Sequence, residues 1–139
     1  MTLHTEAENF IATLNRHVSE LARAVHSVFV SQGCNSYVKT IYVGYDVGGE
    51  MVAAAYPHVA HVEVALALDE TRTGRLLIDA SHLTWRTLPV AAEVRASTDL
   101  PDLEALAAEA CKRVRSAEHL VMRDNEWVRL FWRVTRRRG

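Results

Sequence analysis

The strongest constraint on this chain is the period-two hydrophobicity between Tyr37 and Leu68. Val62, Val64, Leu66 and Leu68 alternate with His61, Glu63, Ala65 and Ala67. Successive side chains of an extended chain point to opposite faces. The pattern therefore predicts a strand over residues 59–68 with one face in a core and the other partly wet. Residues 37–47 and 51–56 read as two further strands. Gly48-Gly49 forms the tight turn between them, because adjacent glycines accept the positive φ such hairpins need. Pro57-His58 turns the chain into the third strand, where a missing amide does no harm. On the first strand Tyr37, Ile41, Val43, Tyr45 and Val47 share a face with Lys39. That lysine either snorkels, its stem packed and its amine in water, or points at an anionic group.

A half-buried meander needs apolar elements to seal it, and the flanking segments supply them. Thr5-Glu6-Ala7-Glu8 has the form of a capping box. Ile11, Leu14, Val18, Leu21, Val25 and Val28 then recur in steps of three and four, which predicts one long amphipathic helix ending at Gly33. His17 and His26 fall on or near its polar side and are expected to be solvated. Asp99 and Pro101 start a second helix running to about residue 117. Its stripe is Leu100, Leu103, Ala107, Cys111 and Val114, with Cys111 acting as a small hydrophobe. Between meander and helix lie a polar excursion (residues 69–74), a short apolar run (Leu76-Leu77-Ile78), an irregular segment (residues 79–89) and a further alternating strand from Val90.

At the C-terminus Val128, Leu130, Trp132 and Val134 alternate with Trp127, Arg129, Phe131 and Arg133. This favours a strand or hairpin over residues 118–139, although helical spacing fits part of it. The sum is an α+β chain in a single domain, residues 1–139: N-terminal helix, antiparallel meander sheet, second helix, C-terminal strand or hairpin.

Charge and cysteine usage narrow the function classes. A formal net charge of −1 gives no global field to hold a polyanion, so a nucleic-acid role must rest on a local patch. Cys34 and Cys111 belong to no paired motif, which predicts reduced thiols in a cytoplasmic protein. Cys34 follows a helix C-terminus, where the dipole raises a thiol and does not activate it. The N-terminus lacks a basic-then-apolar signal. No apolar run approaches the ~20 residues of a membrane span, so no membrane role is expected.

Lys39-Thr40-Ile41-Tyr42-Val43, the Gly48-Gly49 turn, Val52, Pro57 and the alternation to Leu68 together resemble a small bacterial α+β domain of unknown function labelled a predicted transport protein. The likeness continues through Asp79-Ala80-Ser81-His82-Leu83-Thr84-Trp85-Arg86, residues 90–95 and the acidic-capped helix at Asp99. It covers roughly residues 14–114 and leaves the arginine-rich C-terminal extension, residues 118–139, outside. The resemblance implies an antiparallel sheet flanked by helices, related to the YjbR-like double-wing proteins, which are suspected of binding DNA. Lys39, His82, Trp85 and Arg86 match the polar and aromatic anchors of that pattern, which contains no catalytic signature.

Three sets of residues are candidates for chemistry. His58, His61 and Glu63, with His82 from the irregular segment, offer imidazole and carboxylate donors for a metal, without the spacing of an established motif. Lys39, His82 and Arg86, with Trp85 as a wall, suit a shallow pocket for an anion, although core anchoring alone also explains the tryptophan. Trp127, Arg129, Phe131, Arg133, Arg136, Arg137 and Arg138 suit a stacking-plus-phosphate surface for nucleic acid, while burial of the same aromatics in the core or in a homodimer interface explains them equally. The expectation is a non-enzymatic binding module without cofactor that self-associates or takes a protein partner. A nucleic-acid binder and a small metal-dependent enzyme using His58, His61 or His82 are the alternatives.

Overall fold

The structure is a computed structural model that describes residues 4–116. The expected C-terminal strand or hairpin, with Trp127, Arg129, Phe131, Arg133 and Arg136 to Arg138, lies outside the described residues. Two helices open the chain, α1 (Thr5–Ala12) and α2 (Arg16–Ser31). Six strands follow: β1 (Asn35–Lys39), β2 (Tyr42–Val47), β3 (Glu50–Pro57), β4 (Val62–Leu66), β5 (Leu77–Ile78) and β6 (Val90–Val94). A short 3-10 turn at Ser97–Asp99 leads into helix α3, residues 100–116. The strands form one antiparallel sheet in the order β1-β2-β3-β4-β6-β5. The α+β class and the antiparallel sheet agree with the sequence reading.

The expected single strand over residues 37–47 is two strands of a hairpin. The chain reverses at Thr40-Ile41, so Val38 faces Val43 and Lys39 faces Tyr42. Ile41 lies at that turn, 62% exposed, and does not join the core face. The alternation of apolar residues runs through the turn without glycine, proline or asparagine to mark it, so periodicity alone reads straight across. The expected long N-terminal helix is likewise broken. Asn15 caps α2 by accepting from the Val18 amide at 3.0 Å, and its amide nitrogen donates to the Val59 carbonyl oxygen at 3.1 Å. The apolar stripe keeps its spacing through the break, which hides it. No side chain caps α1, whose N-cap is His4. Gly33, at φ 87°, ends α2 as its sequence position predicts, and Gly48 and Gly49 turn β2 into β3 at φ 59° and 88°.

Cross-strand partners share a sheet face, so the register assigns each side chain. One face carries Val38, Val43, Tyr45, Ala53, Ala55, Val62, Val64, Leu66, Ala92 and Val94. The helices lie against it. Phe29 of α2 stacks on Tyr45 with ring centroids 4.8 Å apart, and His4 at the start of α1 bonds Ser36, the partner of Tyr45, at 2.6 Å. His26, expected in solvent, is buried, with Nδ1 2.9 Å from the Tyr45 hydroxyl. The sheet places Tyr45 opposite that turn of α2, and this gives the imidazole a polar partner inside the core. Helix α3 joins the same side. Its Leu103, Leu106, Ala107, Ala110, Cys111 and Val114 are buried in the common core, and Arg115 donates to the Gln32 carbonyl oxygen at 2.7 Å.

The opposite face of β4 was expected to be partly wet. Glu63, Ala65 and Ala67 are buried instead. Residues 79–89 cross that side of the sheet: His82 reaches Glu63, and the Trp85 indole N–H donates to the Tyr56 hydroxyl at 2.7 Å. Among the described residues β1 and β5 are the outer strands. Glu6 of α1 approaches the outward amide of Val38 at 3.4 Å, and β5 is two residues long. Both are devices that blunt a sheet edge.

Candidate binding face

The face turned away from the helices carries two cross-strand rows. In the first, Lys39 faces Tyr42, Tyr56 faces Glu63, and Glu63 faces Glu93. Extending the Val43–Ala55 register by one residue sets Tyr42 opposite Tyr56, and their ring centroids are 5.1 Å apart. The row thus runs cation, aromatic, aromatic, carboxylate, carboxylate from β1 to β6. The second row is small: Tyr37 faces Gly44, followed by Ala54, Ala65 and Ala91. The Tyr37 ring lies over the bare Gly44 backbone, where a side chain would collide with it. Its hydroxyl is 3.4 Å from both the Tyr42 hydroxyl and the Met51 sulfur. Trp85 stands edge-on to Tyr42, centroids 5.6 Å apart and planes at 81°. Burial pushes the Tyr37 and Tyr56 phenols up, so both are neutral donors at ordinary pH.

Glu63 is the buried anchor of this face. Its side chain is 5% exposed, against 46% for His58 and 51% for His82. One carboxylate oxygen lies 3.1 Å from His58 Nε2, and the other accepts from His82 Nε2. A carboxylate inside a sheet is costly unless its lone pairs are filled, and the two imidazoles fill them from opposite loops. His58 comes from the β3–β4 corner and His82 from residues 79–89, so the one carboxylate ties two loops to β4. His61 stacks on His58 with centroids 4.6 Å apart and sits 3.8 Å from Glu93, which also pairs with Arg95. Burial, and after it the neighbouring His58, hold the His61 imidazole below its ordinary value; Glu93 opposes them. The ring is neutral at physiological pH.

These positions sort the residues expected from sequence. Lys39 and Trp85 both border Tyr42, and His82 reaches the same face through Glu63. Arg86 has a place of its own. It lines a groove of about 460 Å³ at the end of β4, with Asp69, Thr87, Pro89 and Arg113. His58, Glu63 and His82 do converge, but as a carboxylate holding two imidazole nitrogens. Among the described residues no group of three or more His, Cys, Asp or Glu side chains is placed to hold a metal ion.

Sequence reasoning missed Tyr37, Tyr42 and Tyr56 as one group, because their common face depends on the unmarked turn at Thr40-Ile41. It missed the neighbourhood of Cys34 and Cys111 as well. No helix among the described residues is long and apolar enough to cross a membrane. Comparisons with protein-family models, curated proteins and solved structures give no match for this chain.

Proposed function

We propose that the protein is a non-enzymatic interaction module that associates with a second copy of itself through the part of the helix-free face that carries Lys39, Tyr42, Tyr56 and Glu93. The row across the sheet carries this reading. It is positive at one end, aromatic in the middle and acidic at the other. A two-fold axis along the strand direction reverses the row in the partner. Each Lys39 then meets the partly exposed Glu93 of the other copy, while Glu63 stays beneath His58 and His82, and the tyrosines meet at the centre. That is the self-complementarity an isologous interface requires. A formal net charge of −1 sets no appreciable repulsion against two copies meeting. Tyrosine and tryptophan bring large contact area at low entropic cost, which is why they concentrate in interface cores.

Sedimentation equilibrium tests the proposal. Wild type is expected to dimerise, and Lys39→Glu to weaken the dimer at least tenfold by setting acid against acid. Lys39 is exposed at the end of β1, so its replacement leaves folding intact. A wild-type monomer at every concentration removes the proposal, as does a Lys39→Glu dimer of unchanged affinity.

A further inference from the structure

Cys34 and Cys111 are separated by 77 positions in sequence, yet their sulfurs stand 3.6 Å apart. Cys34 occupies the link between α2 and β1, just after the left-handed Gly33. Cys111 lies on the buried stripe of α3. Both are buried, 4% and 0% exposed. Arg115, one helical turn beyond Cys111, lies over the same junction through its bond to the Gln32 carbonyl oxygen. As core residues the two sulfurs fill space no better than alanine or valine. As a pair they bring two oxidisable atoms into contact beside a guanidinium.

We propose that Cys34 and Cys111 form a dithiol site that peroxides oxidise to an intramolecular disulfide, fastening α3 to the α2–β1 junction. Hydrogen peroxide, the oxidant, is little larger than water and so suits a buried site. The Cys111 thiolate attacks one peroxide oxygen. The O–O bond breaks, the departing hydroxide takes up the proton that the Cys111 thiol released and leaves as water, and Cys111 becomes a sulfenic acid. The Cys34 sulfur then attacks the Cys111 sulfur. The S–O bond breaks, a second water leaves with the Cys34 proton, and the S–S bond forms. Overall the pair loses two electrons and two protons, and one peroxide is reduced to two waters. The sulfurs need to close by only about 1.5 Å to reach the disulfide length of about 2.05 Å.

Either sulfur can donate to the other across the 3.6 Å contact, and the Arg115 guanidinium favours the thiolate at both, against burial. With the roles of Cys111 and Cys34 exchanged the same bonds break and form. Because the disulfide would close a long loop, it restricts the unfolded chain strongly.

The test uses the full chain, reduced and then exposed to stoichiometric hydrogen peroxide. Intact mass, peptide mapping without reductant and thermal unfolding are read together. Expected are the loss of two hydrogens, a Cys34–Cys111 linked peptide, and a Tm rise of about 5–15 °C that reductant reverses. In Cys34→Ser the reaction is expected to stop at the Cys111 sulfenic acid, captured by dimedone. Two free thiols after treatment of the native protein would overturn the proposal. So would a linkage between two chains, or a disulfide that forms only after denaturation.

Discussion

Replacing Gly44 by alanine tests the packing of the helix-free face at its tightest point. A methyl group built there stands 2.6 Å from the Tyr37 hydroxyl oxygen and closer still to the ring, where ordinary contact begins near 3.4 Å. The backbone at Gly44 sits within β2, paired on both sides, so the ring yields and not the strand. Tyr37 must move by about 1 Å or more, an overpacking cost of about 1–3 kcal/mol. It also gives up its edge-on contact with Tyr42, at a centroid distance of 6.0 Å and an angle of 76°, and its approach to the Met51 sulfur. Aromatic pairs of this geometry contribute about 0.5–1.5 kcal/mol beyond area burial. We therefore expect Gly44→Ala to destabilise by about 2–3 kcal/mol in urea titration, with an unchanged m-value. The decisive comparison is the double-mutant cycle with Tyr37→Ala. If the ring is the obstacle, removing it relieves the alanine, and the two substitutions show a coupling of at least about 1 kcal/mol. Costs that add to within about 0.5 kcal/mol would refute the reasoning, because Gly44 would then owe its cost to the backbone alone.

Three other perturbations follow from the same structure. His26 is held below its ordinary value of 6.5 by burial and by His4, against an opposing Glu8. Its unfolded state therefore takes up the proton first, and stability is expected to fall as pH drops below about 6.5 and to be complete above it; His26→Phe should flatten that limb in denaturation midpoints measured between pH 8 and 5. Asp99 is held below the usual carboxylate range by the backbone amides of Arg95 and Ala96 and by Arg75, accepting at 2.9, 3.2 and 3.1 Å. Its contribution is present above the ordinary value and lost as pH falls through the depressed one, so Asp99→Ala should cost about 1–2 kcal/mol at pH 7 and blunt acid unfolding below about pH 4. Glu63→Ala should release His58 and His82 together, costing about 1–3 kcal/mol and speeding proteolysis within residues 79–89; unchanged cleavage there would show that the carboxylate does not hold the segment.

The parts of the fold that sequence reveals are those where a local pattern and a stop signal coincide. β4 announces itself through Val62, Val64 and Leu66; Gly33 and Gly48-Gly49 end their elements where the backbone needs positive φ. Helix α3 is legible for the same reason, with Asp99 before it and a clean apolar stripe. The hairpin at Thr40-Ile41 and the break at Asn15 are not legible, because the periodic signal on either side stays in phase. Burial of Glu63 and His26 was hidden for a different reason. Glu63 takes its partner from His82 and His26 Nδ1 from Tyr45, both far along the chain, while the buried His26 Nε2 has none among the described residues; pairing of that kind is a property of the packed sheet. The aromatic face inherits both difficulties. Sequence groups Trp85 and His82 with Lys39 and Arg86, but their common surface with Tyr42 and Tyr56 exists only once the register is known.

Hydroxyl-radical footprinting across a range of protein concentrations addresses the self-association face most directly. If two copies meet there, oxidation of Tyr37, Tyr42, Tyr56 and Trp85 falls as concentration rises through the dimer range, while His17, exposed on α2, keeps a constant rate. Protection of those aromatics that is the same at every concentration would show that the chain covers the face itself and would remove the self-association. Rates that are high throughout, or protection confined to the helices, would contradict the account outright.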